Sequence, residues 1–271
     1  GVAGGSSCAA RLRRMDETAD IVLFEKGEFI SYANRGLPYY IGGSIQERKK
    51  LFVQSMAGFT DRFNIDIRVL SEVTSIQPEE KTVNILNHAD GQTYTESYDK
   101  LVISVGAEPV KPALPGIEHE HIFTLRNIPD TDRITKFIDT HHPRTALVIG
   151  GGFIGLEMVE NLREAGLDVT LVEKTAQVMA PLDGCMAAMV HDHLREKQVM
   201  LLLGEGVMGF EARGEEIFVT LDSGKTIATD MVILSIGVRP DIQLARSAGL
   251  TIGEFGGIRV NEFMQTSDPH L

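Results

Sequence analysis

The sequence predicts an α/β protein made of two similar units, one inserted in the other, each a parallel sheet layered with helices and carrying an antiparallel β-meander. Three observations predict this. A succession of glycine loop, helix and strand occurs twice. Each copy is followed by a run of short alternating strands separated by turn residues. Each run then feeds an apolar segment that ends at glycine, with a proline soon after.

The first unit opens on Gly1-Val2-Ala3-Gly4-Gly5, continues as an Ala/Arg/Leu helix through about Asp16, and reaches a strand, Ile21-Val22-Leu23-Phe24, that ends at Glu25. Its meander spans residues 67–98, with turn signals at Asn87-His88-Ala89-Asp90-Gly91. The run Leu101-Val102-Ile103-Ser104-Val105-Gly106 reads as a buried strand, and the segment from Pro109 to Pro115-Gly116 as a crossover. An apolar periodic helix is expected over 129–140. The second unit starts with a strand, Ala146-Leu147-Val148-Ile149, and the loop Gly150-Gly151-Gly152-Phe153-Ile154-Gly155, followed by a helix to about Ala165. A strand, Val169-Thr170-Leu171-Val172, then ends at Glu173. The second meander covers 207–228, turning at Arg213-Gly214 and Ser223-Gly224, and feeds Val232-Ile233-Leu234-Ser235-Ile236-Gly237. The expected domains are therefore 1–116, an inserted 117–236, and a return to the first over 237–271, where Thr266-Ser267-Asp268-Pro269 forms a loop.

Composition narrows the function classes. A length of 271 residues suits two domains at about 100–200 residues each. The net charge of -12 argues against a nucleic-acid surface, which needs clustered Lys and Arg. No apolar run approaches the ~20 residues of a membrane span, and no signal peptide is read. The two cysteines, Cys8 and Cys185, form no CxxC and fit a reducing compartment, so a cytoplasmic location is expected. His141-His142 and His191-x-His193 have no acidic or cysteine partners at ligand spacing; they are read as structural or surface histidines, and no metal is expected. The chain begins inside a glycine-rich loop and stops in a loop, so it is expected to be part of a longer protein.

The sharpest motif is Gly150-x-Gly152-x-x-Gly155 between strand and helix. The first glycine permits the tight turn, the second lets backbone approach a pyrophosphate, and the third lets helix and sheet pack closely. The helix N-terminus then offers free N–H groups and a partial positive charge to phosphate. Glu173 ends the next strand, where an acid accepts hydrogen bonds from an adenosine ribose. Glycines serving only packing are the plainer alternative. The acid repels a 2'-phosphate, so NAD is favoured over NADP, and the adjacent Lys174 weakens that preference. In the first unit Gly4, Gly5 and Glu25 fit a second adenine dinucleotide, against the plainer reading of a helix-entry turn. Two such sites in one chain suggest two cofactors that exchange electrons, and flavin is the usual acceptor of a nicotinamide hydride. FAD and NAD(H) are thus the expected cofactors.

The run Ser31-Tyr32-Ala33-Asn34-Arg35-Gly36-Leu37-Pro38-Tyr39-Tyr40-Ile41-Gly42-Gly43 closely resembles the active-site segment of the coenzyme A-disulfide reductases. These belong to the pyridine nucleotide-disulfide oxidoreductases, with NADH oxidases and NADH-dependent persulfide or polysulfide reductases. The resemblance covers the whole chain: the GVAGG opening, Phe24-Glu25-Lys26, Ser97-Tyr98-Asp99-Lys100-Leu101, Thr124-Leu125-Arg126-Asn127, residues 150–157, and Ile236-Gly237-Val238-Arg239-Pro240. It implies an FAD enzyme that takes electrons from NAD(P)H and reduces coenzyme A disulfide, a persulfide or a polysulfide. By position it places Ser7, Arg11, Arg14, Ser31 and Asn34 at coenzyme A, although Arg11 and Arg14 also suit a solvated helix face. It places Gly1, Gly4, Gly5, Glu25, Lys26, Ser104, Gly106, Arg126 and Gly237 at FAD or in support of that site. Gly150, Gly152, Gly155, Glu157 and Glu173 fall to the nicotinamide dinucleotide. It further implies a homodimer whose dimerisation domain lies beyond this chain.

One position departs from the family. The redox cysteine's place holds Arg35, and a guanidinium forms neither a thiolate nor a mixed disulfide. Three readings follow: a disulfide or sulfur-species reductase, an NADH oxidase in which flavin reacts with oxygen, and a module that binds NAD without turnover.

Overall fold

The computed structural model describes Gly1–Leu271. In chain order its elements begin with helix α1 (Gly4–Met15), strand β1 (Val22–Phe24), helices α2 (Leu37–Ile41) and α3 (Met56–Phe63), and strands β2 (Asp66–Arg68), β3 (Ser71–Gln77), β4 (Thr82–Asn87), β5 (Thr93–Ser97), β6 (Ala107–Pro109) and β7 (Ile122–Phe123). There follow α4 (Ile128–His141), β8 (Thr145–Ile149), α5 (Phe153–Glu164), β9 (Asp168–Glu173), α6 (Gly184–Glu196), β10 (Met200–Leu203), β11 (Val207–Arg213), β12 (Glu216–Leu221), β13 (Thr226–Thr229), β14 (Met231–Leu234), β15 (Val238–Pro240) and α7 (Gln243–Ser247). The chain forms two compact units: Gly1–Ala33, Phe52–Glu108 and Arg239–Leu271 make the first, and Asn34–Leu51 with Pro109–Val238 make the second.

In the second unit five parallel strands lie in the order β10-β9-β8-β14-β7. The inner strands read as near-continuous apolar runs because both faces are covered. Leu147, Leu171, Val232 and Ile233 are fully buried, and the meander β11-β12-β13 packs Ile217, Val219 and Leu221 into one core with Leu147, Val172 and Val232. The meander turns where glycine adopts positive φ, at Gly214 and Gly224. Helix α4 starts where the Asn127 side chain accepts the Asp130 N–H at 3.0 Å and ends at left-handed His142. The order of strands reverses at β8, whose neighbours run away in opposite directions, and such a switch point leaves a crevice at the carboxyl ends of the strands.

In the first unit β1 pairs with β2 in parallel, and β3-β4-β5 form the expected meander. Small side chains at Ala9 and Ala10 let α1 sit close over Leu23 and Ile30. The Ser55 hydroxyl accepts the Gly58 N–H to cap α3. A second cluster joins Ile76, Val83 and Ile85 to Ala245 and Leu250 of the returning chain.

Two expectations are revised. Residues 101–106 are not a strand: no ladder forms there, and Val102 and Val105 are 56% and 42% exposed. No strand ladder adjoins 101–106; its ends bond instead to the returning chain, the Leu101 N–H to the His270 carbonyl and the Gly106 carbonyl to the Asp241 N–H. The segment Asn34–Leu51 groups with the second unit, where Arg48 clasps Asp132 through two bonds of 2.8 Å and Gly42 lies against Asn161 of α5.

The start of the second unit's sheet is tied by Asp230, whose Oδ2 accepts the N–H of Arg144 at 2.7 Å, the N–H of Thr145 at 2.8 Å and the Thr145 hydroxyl at 3.0 Å. Burial pushes this carboxyl up, but the Thr145 and Arg144 donors outweigh it and hold the group below its ordinary value. Since the folded state lowers this pKa, the contribution is complete above about pH 4 and is lost as pH falls below it. Asp230→Ala is expected to cost about 1–3 kcal/mol by denaturant unfolding at neutral pH, with the gap to wild type closing on acidification.

Candidate functional site

The loop between β8 and α5 is built by exclusion. Gly150 has φ +106, and a Cβ there would meet the carbonyl oxygen of Ser235, just past β14. A Cβ at Gly155 would fall on the carbonyl oxygen of Gly150. At Gly152, by contrast, the space is open. Gly152 is also the N-cap of α5 and offers no side-chain acceptor, so the first-turn N–H groups have no cap. A helix end of this kind, at the switch point and with room at its glycine, fits the pyrophosphate of a dinucleotide.

Glu173 closes the site from the end of β9. Its Oε2 accepts the Gly151 N–H at 2.7 Å, and its Oε1 accepts the Thr175 N–H at 2.7 Å and the Thr175 hydroxyl at 2.8 Å. The acid therefore fixes the loop, and each such bond to a charged acceptor is worth about 1.5–3 kcal/mol. Lys174 beside it is exposed. Glu157 lies one turn into α5 and is bound by Arg35, whose Nη2 is 2.5 Å from its Oε1. The Arg35 side chain is 79% exposed and that of Glu157 17%, and the bond to Glu157, followed by its charge, raises the guanidinium's pKa further. This pairing spans 122 residues and left no trace in the sequence pattern. The Asn34–Leu51 segment carries two further polar ties, Ser44 to Glu164 at 2.9 Å and Arg48 to Asp132.

The first unit presents a related arrangement. Helix α1 begins at Gly4 after Ala3, again with no side-chain cap, and a Cβ at Gly4 would meet the Ser104 hydroxyl. The second glycine, Gly5, lies near the same serine. Gly1 lies against Glu25, whose Oε1 accepts the Gly27 N–H at 2.9 Å. Lys26 is exposed, and Gly106, with φ +84, accepts from the Asp241 N–H. Ser7, Arg11 and Arg14 line one exposed side of α1, and the carbonyl of Ser31 accepts from Val53. Asn34, Arg126 and Gly237 belong to the second unit, where the Arg126 N–H donates to Asp130 and Gly237 has φ +115. Cys8 is half-buried on α1 and Cys185 exposed on α6, both as free thiols. No helix is long and apolar enough to cross a membrane.

The family model described as pyridine nucleotide-disulphide oxidoreductase matches residues 1–271. The chain belongs to this family. Its members are FAD- and NAD(H)-dependent oxidoreductases, and the two Rossmann-like units are that fold. Among curated relatives, the coenzyme A disulfide reductase of Staphylococcus haemolyticus (strain JCSC1435) is 35% identical over 270 residues, covering 100% of this chain and 60% of that protein. Among solved structures, the reduced Bacillus anthracis CoADR-RHD is 57% identical with a TM-score of 0.97, covering 100% of this chain and 48% of that one. The NAD-dependent persulfide reductase from A. fulgidus is 37% identical with a TM-score of 0.95, covering 100% of this chain and 50% of that one. This family member thus spans only part of the length of the relatives it matches.

Glu173→Arg removes the acceptor of Gly151 and Thr175 and sets a cation where the sequence motif leads us to expect an adenosine ribose. The expected result is a lower melting temperature and a shift of at least about tenfold in the Kd ratio toward NADPH, read by titration with both nucleotides.

Proposed function

We propose that the chain supplies the two cofactor-binding units of an FAD-dependent oxidoreductase that withdraws hydride from NADH and delivers the electrons to a coenzyme A disulfide, a persulfide or a polysulfide. The observation that carries the reading is the uncapped start of α5 at the strand-order reversal, faced by Glu173. FAD, when bound, accepts two electrons from the reduced nicotinamide and hands them on. For a disulfide the balance is NADH + H⁺ + RSSR → NAD⁺ + 2 RSH. In this reading the N-termini of α5 and α1 hold the two pyrophosphates. Glu173 and Glu25 accept from the adenosine riboses, and Glu157 serves the nicotinamide end, with Arg35 fixing its orientation. Lys26, Ser104 and Gly106 support the flavin site, and Ser7, Arg11, Arg14 and Ser31 receive coenzyme A.

Arg35 favours a second reading. A guanidinium has no thiol to attack sulfur, so residue 35 cannot relay electrons through a mixed disulfide. An NADH oxidase, in which reduced flavin meets oxygen directly, needs no such relay. A chain that binds NAD without turnover is the remaining alternative, and bound flavin, read from a band at about 450 nm, argues against it. NADH consumption with oxygen, set against anaerobic consumption with coenzyme A disulfide or polysulfide, separates the two enzymes.

Arg35→Cys, made in the whole protein, both frees Glu157 and restores a thiol. Disulfide or persulfide turnover is expected to rise by at least about tenfold, equivalent to about 1.4 kcal/mol at the transition state. Unchanged turnover in a steady-state assay would show that residue 35 is not at the acceptor.

A further inference from the structure

The loop that follows Glu173 is held from behind by a histidine that the nucleotide reading does not use. His191 lies on the inner side of α6 and is 9% exposed. Its Nε2 accepts the N–H of Val178 at 3.1 Å in a buried contact. The next residue, Met179, stands at φ +52, a left-handed conformation that methionine disfavours, and donates its N–H to the Gly151 carbonyl at 2.8 Å. Val178 is fully buried, and its Cγ1 lies 2.8 Å from the place a Cβ on Gly151 would take. Gly151 in turn donates to Glu173. An unbroken hydrogen-bonded route therefore runs from α6 through Val178 and Met179 to the glycine loop and its acid. His193, two residues on, is exposed beside Glu196, so the pair of histidines divides into one inside and one at the surface.

We propose that His191 is a positioning residue for the adenosine half of the bound nicotinamide dinucleotide. The inference rests on the nucleotide reading of residues 150–155 and Glu173. The imidazole accepts through Nε2, which fixes the tautomer with its proton on Nδ1. That bond holds Val178 in place. Val178 packs against Gly151 and Met179 bonds its carbonyl while Glu173 accepts its N–H, so the three together set the separation between the phosphate-facing loop and the ribose-facing carboxylate. Loss of the acceptor leaves a buried N–H unpaired and releases the strained Met179 turn. The effect falls on the adenosine end, since nothing in this route touches Glu157.

The test is a set of titrations on the chain with NADH, ADP-ribose and reduced nicotinamide mononucleotide, for wild type, His191→Ala and His191→Gln. His191→Ala is expected to weaken NADH and ADP-ribose about tenfold and to leave the mononucleotide unchanged. His191→Gln, whose side-chain carbonyl can accept from Val178, is expected to return within about threefold of wild type. A folded alanine variant with wild-type ADP-ribose affinity overturns the proposal. So does a glutamine variant as weak as alanine, which would assign the effect to ring volume. If the alanine variant does not fold, amide exchange in the wild-type chain decides: residues 174–183 should slow when ADP-ribose saturates the site, and unchanged exchange there refutes the role. A wild-type chain that binds neither NADH nor ADP-ribose removes the nucleotide reading itself, and this proposal with it.

Discussion

A β-carbon at position 155 would occupy the place of the Gly150 carbonyl oxygen, and the nucleotide end of the second unit is shaped around that exclusion. Because α5 can approach β8 so closely, its first turn lies at the carboxyl edge of the sheet. There the strand order reverses and the loop after β14 packs behind it. The three glycines do different work. Gly150 turns against Ser235, Gly155 seats the helix, and Gly152 leaves open space in front of uncapped N–H groups. Only the last of these faces outward, toward the place the reading gives to phosphate.

The acids of this region hold the chain together before they hold any ligand. Glu173 is bonded by Gly151 and Thr175, so the carboxylate that the proposal sets at the ribose also fixes the loop. Glu157 is bonded by Arg35, which ties the start of the Asn34–Leu51 segment to the helix that begins at the glycine loop. An exposed ion pair contributes little to stability by itself, typically about 0–1 kcal/mol. Its significance is positional: Arg35 is a cation held against a carboxylate of the helix that begins at the glycine loop.

Local signals carried most of the fold. The glycine spacing at 150–155, the acid at the end of β9, and the turn residues at Gly91, Gly214 and Gly224 each act within a few residues, and the α/β class with its two meanders followed from them. The sequence reading failed where the outcome depended on distant partners. Residues 101–106 have the composition of a buried strand, but strand formation needs a neighbour, and none pairs there. The segment 34–51 carries no periodic signal for its attachment to α4 and α5, which rests on Arg48 with Asp132 and on the fit of Gly42 against Asn161. The bond from His191 to Val178 was equally hidden, because a lone histidine on a helix face reads the same whether it caps a loop or merely fills space.

Calorimetric titration of the chain with NADH and with NADPH tests the central claim most directly. The account predicts one saturable NADH site per chain and weaker binding of NADPH, in keeping with the carboxylate at Glu173. No saturable binding of either nucleotide, or binding that prefers NADPH, would contradict it.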